Sequence, residues 1–492
     1  MASLEEIRQN RIEKLRILEE KGVTAFPVSV NQDYVLSEVI KNFSKLAKSK
    51  KKQYSLVGRV MSLRPQGALI FLHFFDGTAK FQALLKKGED MSEEDFELFS
   101  NTVDIGDFAE FKGTLFLTKR KEKTVLAHSW RMLAKSLRPL PEKWHGLQDV
   151  EERFRHRYLD TLMSEEVRER FFKRSQIISL LRTFYFENGF MEVDLPILQS
   201  LAGGATAQPF TTHHNALDTD FYLTIAQELY LKELLIGGFN KVFELGKRFR
   251  NEGIDTSHSP EFTMLESNEA YVDAKQQREF VEKLMRFLVK KLFSSHTFIS
   301  DGNTIDTKPK FAVVAFYDLL KRHALIPNPE SMTKEEAVIR AQQLGVKVDP
   351  KESLEKILDN IYKKVARPKL IQPTFIVDYP VSFNPFAKRK EDNSALIDRF
   401  QLVISGVELV NAFSELNNPI DQKERYSEQD KKGESGEKEI APSDLEYVEA
   451  MEYGMPPNGG IGIGVDRLIM ILLDVKNIKE VILFPTLKPR RE

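Results

Sequence analysis

Between residues 54 and 132 the apolar residues arrive in five short runs, at 54–60, 69–75, 80–85, 108–116 and 124–132, with Gly58, Gly67, Gly77 and Gly113 at or near the turns and bends. Runs this short, divided by turn residues, are strands, and five of them at this spacing predict a small closed β-barrel. A half-buried sandwich is the alternative that the pattern leaves open. The flanks obey a different period. Ser3 with Glu6 is a capping-box pair, and Leu4, Ile7, Ile12, Leu15 and Leu18 follow at helical spacing until Gly22. A second amphipathic helix is predicted over 165–188, with Val167, Phe171, Ile178, Leu181 and Phe184 on one face and Gly189 as its stop. Beyond it, strands alternate with helices in the order of a mixed, mostly antiparallel sheet, an α+β arrangement.

At 492 residues the chain is too long for one core. The expected division is a helical extension at 1–53, the barrel at 54–136, a surface linker at 137–160 and the α+β domain at 161–492. Residues 422–441 are polar and charged, and predict an exposed, mobile loop. Lys and Arg (72) nearly balance Asp and Glu (73), so nucleic acid is not attracted by bulk charge and would meet local patches. Two such patches are Lys45 to Lys52 and Lys119-Arg120-Lys121. The absence of cysteine excludes disulfides, thiolate zinc sites and a cysteine nucleophile, and suits a reducing cytoplasm. The first ten residues do not read as a signal peptide, and no apolar run approaches the roughly 20 residues that span a bilayer.

The densest chemistry lies in Phe249-Arg250-Asn251-Glu252-Gly253 and His258-Ser259-Pro260-Glu261-Phe262-Thr263. Arg250 can bridge a phosphate and a carboxylate as a planar two-pronged donor, and Phe262 can present a flat face to a base. A charged hairpin with surface ion pairs is the plainer explanation of this stretch alone. Near the C-terminus, Gly459-Gly460-Ile461-Gly462-Ile463-Gly464 precedes Asp466, Arg467 and an apolar helix. The G-x-G-x-G spacing differs from the dinucleotide-binding G-x-G-x-x-G. It reads as a strand stripped of side chains so that a flat ligand can lie close to the backbone, with Arg467 toward its phosphates.

With these segments in order, the chain resembles the class II aminoacyl-tRNA synthetases. Phe190-Met191-Glu192-Val193-Asp194-Leu195-Pro196 is similar to their first, dimer-forming motif, the Phe249 to Phe262 stretch to the second, and Gly462 to Arg467 to the third. Within the class it resembles the bacterial-type lysyl-tRNA synthetases, through residues 142–159, Gly203-Gly204-Ala205-Thr206-Ala207, 212–217, 411–417 and Tyr453-Gly454-Met455-Pro456-Pro457. The resemblance covers nearly the whole chain and implies a cytoplasmic homodimer that activates L-lysine with ATP and Mg2+ and transfers it to tRNA(Lys).

The resemblance also implies roles. Arg250, Glu252 and Arg467 are the expected catalytic residues, with His258, Phe262 and Glu408 completing the ATP site. Gly204, Glu228, Glu266, Asn411, Phe413 and Glu415 would hold lysine, Glu228 and Glu266 at its α-amino group and Glu415 at its ε-ammonium. Glu408 and Glu415 would hold magnesium. The barrel becomes an oligonucleotide-binding (OB) domain in which Arg64, Phe71, Gln82 and Glu122 read the anticodon. The chain departs from the family at Asn268, where a tyrosine is usual, and at Gln401, where a glutamate helps hold magnesium. Gln208, Gln227 and Ser382-Phe383-Asn384 differ as well. These departures keep open a paralogue with weakened activation or altered amino-acid choice.

Overall fold

The computed structural model describes residues 3–49, 51–88, 90–141, 149–349, 352–434 and 441–490. Contacts divide the chain into two compact units, 1–147 and 148–492.

In the first unit the strands Tyr54–Gln66, Leu69–Phe75, Lys80–Lys86, Phe108–Leu117 and Lys123–Ala134 close into a barrel. The third and fifth strands pair in parallel, and the other neighbours are antiparallel. Alternation along each strand sends Leu56, Val60, Leu72, Phe74, Phe111 and Val125 into a shared core. At a bulge in the fifth strand, opposite Gly113, a Cβ on that glycine would meet the Leu126 carbonyl oxygen at 1.8 Å, so only glycine lets the two strands approach there. The helix Leu4–Glu20 carries the expected Ser3–Glu6 capping box. Leu18, Leu36, Val39 and Phe43 enter the barrel core, so the N-terminal helices belong to the barrel unit rather than forming a separate extension. A helix at Glu93–Thr102, not foreseen from the sequence, adds Phe96 and Phe99 to the same core.

The second unit is built on an eight-stranded sheet. Its spatial order is Ala312–Ala315, Thr374–Pro380, Leu396–Ile404, Val407–Ser414, Asn458–Gly464, Glu261–Ala270, Lys241–Phe249 and Met191–Glu192. Only the two outermost pairings are parallel. The helices Glu165–Glu187, Ala274–Phe293 and Val465–Leu472 supply Leu181, Tyr185, Leu284, Leu288 and Leu468 to the main core beside it. The expected α+β fold is present.

Two expectations are corrected here. The linker at 137–160 is helical over its later part, Val150–Arg155 and Arg157–Met163, and this part belongs to the second unit; residues 142–148 lie outside the described residues. Arg157 explains the misreading: it is 1% exposed, and its guanidinium donates to Asp160 and to the carbonyls of Lys479, Ile482 and Leu483. Arg157→Ala leaves those acceptors unpaired and is expected to lower unfolding stability by about 3 kcal/mol, measurable as a shift in the denaturant midpoint. The loop expected at 422–441 is a helix, Pro419–Glu434, as far as the described residues run. Its inward face is polar: Gln422, Arg425, Tyr426 and Gln429 are buried at helical spacing. Arg425 pairs with Asp421 and donates to the Ala387 carbonyl at 2.7 Å. An apolar periodicity cannot reveal a helix that docks through polar groups.

Candidate active site

Two adjoining cavities open on the same face of the eight-stranded sheet. The first, about 210 Å³, is lined by Gly204, Glu228, Glu266, Asn268, Arg399, Phe413, Glu415 and Gly460. The second, about 190 Å³, is lined by Glu252, His258, Phe262, Glu408, Gly464 and Arg467. Arg250, Met264, Asn411 and Gly462 line both. Antiparallel pairing explains this convergence. Gly462 lies opposite Glu266 on one side and Asn411 on the other, and Gly460 lies opposite Asn268 and Phe413. Alternate residues of three neighbouring strands therefore share one face. The glycines make room mainly for protein side chains. A Cβ at Gly460 would stand 2.0 Å from Oε1 of Glu415, and one at Gly459 would stand 2.7 Å from Gln277.

Arg250 stands at the junction. Its guanidinium lies over the Phe262 ring at 5.3 Å, and its Nε is buried with no hydrogen-bond partner. Among the described residues its only side-chain hydrogen bond is a long one, 3.4 Å, to the Ile225 carbonyl. Burial lowers its pKa from the ordinary value, against the pull of Glu252 and Glu266. A buried cation with an unused donor is poised for an anion. Arg399 also lacks an ion-pair partner among the described residues, and its Nε donates to Oδ1 of Asn411 at 2.8 Å, which orients that amide.

The far end of the first cavity is acidic. Glu266 accepts from Arg248 and from the Gln227 backbone N–H, and Arg248 also pairs with Glu244. Glu228 and Glu415 share one ammonium: Nζ of Lys232 lies 2.6 Å from Oε1 of Glu228 and 2.6 Å from Oε2 of Glu415. The contact with Glu415 is an ion pair without hydrogen-bond geometry, since that Oε2 has no directed partner. Burial pushes the Glu415 carboxyl up to about 8 and raises Glu228 too, with Lys232 pulling both down. Burial disfavours the Lys232 charge, but the two carboxylates outweigh it and keep the ammonium protonated. Four carboxylates at this end thus face two built-in cations, Lys232 and Arg248. Sequence reasoning missed both cations. Glu228 and Lys232 are four apart on the helix Glu228–Ile236, a spacing that was readable, whereas Arg248 meets Glu266 only across the sheet.

The substituted positions have partners. Asn268 donates to Oε1 of Glu415 at 3.2 Å and to Asn458 at 3.1 Å. Phe383, from the altered 382–384 segment, brings an aromatic ring to the first cavity. The Gln401 carbonyl accepts from the Tyr379 hydroxyl at 2.7 Å. Glu408 and Glu415, expected to hold magnesium together, line different cavities. The ammonium against Glu415 opposes a divalent cation there, so this pair is not brought together as expected.

A family model described as tRNA synthetases class II (D, K and N) matches residues 149–488, and one described as an OB-fold nucleic acid binding domain matches 54–133. A lysine–tRNA ligase of Pelotomaculum thermopropionicum is 44% identical over 489 residues, 99% of this chain and 96% of the relative. Lysine–tRNA ligases of Roseiflexus sp. and Dehalococcoides mccartyi are 42% and 40% identical, each covering 99% of this chain, and 99% and 98% of the relatives. The chain belongs to the class II lysine–tRNA ligase family.

In this family member the OB barrel presents its own polar strip. Ile70, Leu72 and Phe74 point inward, so Phe71 and His73 face out beside Arg64, which pairs with Phe71 in register. His73, not singled out from sequence, bonds Oε1 of Glu122 at 2.8 Å. Gln82 is 7% exposed, and its carbonyl accepts from the Thr124 hydroxyl at 2.7 Å. Among the described residues no helix is long and apolar enough to cross a membrane.

Proposed function

We propose that this chain joins lysine to the 3′ end of tRNA(Lys) with ATP as the energy source. An oxygen of the lysine carboxylate attacks the α-phosphorus of ATP, the bond to the pyrophosphate oxygen breaks, and lysyl-adenylate results. A ribose hydroxyl at the tRNA 3′ end then attacks the acyl carbon and AMP leaves. The observation that carries this reading is Arg250 at the junction of the two cavities, with an unpartnered donor between an acidic pocket and one lined by His258, Phe262 and Arg467. Such chemistry needs alignment and charge neutralisation more than a proton shuttle.

Lysine lies in the first cavity, its amino groups toward Glu228, Glu266 and Glu415, its stem on Phe413 and its carboxylate toward Asn411 and Arg250. Gly204 keeps the wall open: a Cβ there would stand 3.3 Å from that of Glu228. ATP lies in the second, its base on Phe262, its phosphates toward Arg250, Arg467 and His258, with Glu252 restraining Arg250. Glu408 offers an oxygen for magnesium, which would neutralise phosphate charge when bound. Gln401 offers little, its carbonyl being engaged by Tyr379.

Amino-acid-dependent exchange between ATP and pyrophosphate tests the reading. Lysine should support exchange at least about 100-fold better than ornithine, arginine, asparagine or aspartate. Folded protein giving no lysine-dependent exchange would end it. For the barrel, Phe71 is assigned to stack on an anticodon base and Arg64, Gln82 and Glu122 to its edges. Phe71→Ala should weaken tRNA(Lys) binding by about 1–3 kcal/mol without changing exchange, as read by filter binding beside the exchange assay. The same reading makes the protein a cytoplasmic homodimer. Phe186, Met191, Ile197 and Leu198 are exposed around the Phe190–Pro196 motif, and a mass of two chains in sedimentation checks the dimer.

A further inference from the structure

Lys232 is a fully buried cation inside the first cavity's wall that the activation chemistry does not itself use. Its side chain is 0% exposed, and the rings of Phe386, Phe413 and Tyr447 stand 5.1, 5.8 and 5.8 Å from Nζ. The rings exclude water and add to its attraction for the cation. Its two carboxylates come from different elements: Glu228 from the first turn of the same helix, Glu415 from the residue after the strand Val407–Ser414. Nζ therefore ties a helix to the sheet at the floor of the pocket.

The remaining oxygens are constrained as well. Oε1 of Glu415 is fixed by Asn268 at 3.2 Å and crowded against Gly460. Oε2 of Glu228 takes no hydrogen bond from the described residues. One ammonium between two carboxylates leaves the pair short of positive charge. We propose that Lys232 is a specificity-determining positioning residue: by clamping one oxygen of Glu228 and one of Glu415 it fixes the separation of the two carboxylates, so that only a substrate carrying two suitably spaced amino groups completes their charge. A diamine that is too short reaches one carboxylate and not the other. A monoamine such as norleucine leaves the buried Glu415 under-compensated. The inference rests on the first cavity being the lysine pocket.

The test is lysine-dependent exchange with three proteins side by side, the parent, Lys232→Met and Lys232→Ala, each with lysine, ornithine and norleucine. Lys232→Met keeps the four-atom apolar stem and removes the ammonium. It should raise the KM for lysine at least about 30-fold, leave the KM for ATP within about threefold, and reduce the preference for lysine over norleucine at least tenfold. Lys232→Ala leaves room for a small amine. Millimolar propylammonium should recover its exchange at least tenfold, while propanol should not. Lys232→Met with parent KM and parent discrimination overturns the proposal. So does rescue by propanol as good as by propylammonium, or loss of folded protein in Lys232→Met, since each assigns Lys232 to packing or folding alone. A parent that shows no lysine-dependent exchange is a different failure, that of the pocket assignment.

Discussion

Arg250→Ala is expected to lower kcat/KM for lysine-dependent exchange by at least about 10³-fold, or about 4 kcal/mol of transition-state stabilisation. Removing a single preorganised donor from a closed site typically costs ~10²–10³. Arg250 has several donors and reaches both cavities, so its loss uncouples the attacking carboxylate from the phosphate it attacks. Stability should hardly change, because among the described residues the side chain makes only one long hydrogen bond and leaves its Nε unpaired. The measurement is exchange as a function of lysine concentration, from well below KM upward at saturating ATP, beside a thermal melt. Arg250→Lys should rescue little, since a point charge cannot replace a planar fork spanning two anions. Exchange at the parent rate from folded Arg250→Ala protein would remove the assignment.

The second large effect is expected at Glu415. Glu415→Gln keeps the shape and the contact with Asn268 but removes the charge that faces Lys232 and the bound lysine. Breaking a buried charge pair from one side costs about 3–5 kcal/mol, which corresponds to roughly 10²–10⁴-fold. The KM for lysine should rise by that order while the KM for ATP stays close to the parent value, because Glu415 does not line the second cavity. Discrimination against norleucine should fall with it. An unchanged KM for lysine would show that the ε-ammonium is bound elsewhere.

Where short apolar runs are divided by turn residues, the fold was legible. The barrel strands appear within about two residues of the expected bounds, except that the first runs on to Gln66 through Arg64 and Pro65, where the apolar run has already ended. Legibility failed where polar residues are buried. Arg157 hid two helices inside a presumed linker, and Gln422, Arg425 and Gln429, of which Arg425 is held by Asp421 and the Ala387 carbonyl, hid another inside a presumed loop. At the candidate site, the residues expected around lysine and ATP were named from motifs, and the sheet gathers them into the two cavities. What motifs do not carry is the partner of each partner. Lys232 and Arg248 are ordinary residues of a helix and a strand until folding sets distant carboxylates against them. The separation of Glu408 from Glu415 was hidden for a similar reason. A strand end and a bulge, not sequence distance, decide which cavity each one faces.

The position of the strand Asn458–Gly464 in the sheet has a consequence for synthesis. It lies between Glu261–Ala270 and Val407–Ser414, so the first of these waits with an unpaired edge while nearly two hundred further residues emerge. At typical elongation rates of about 5–20 residues per second, that wait is roughly 10–40 s. Throughout it, the nascent chain has no wall between Glu266 and Asn411 and cannot hold either substrate. Its bare strand edge invites the wrong neighbour. This enzyme family member should therefore depend on chaperone cover on the ribosome late in its translation, and any pause between residues 270 and 458 should favour aggregation.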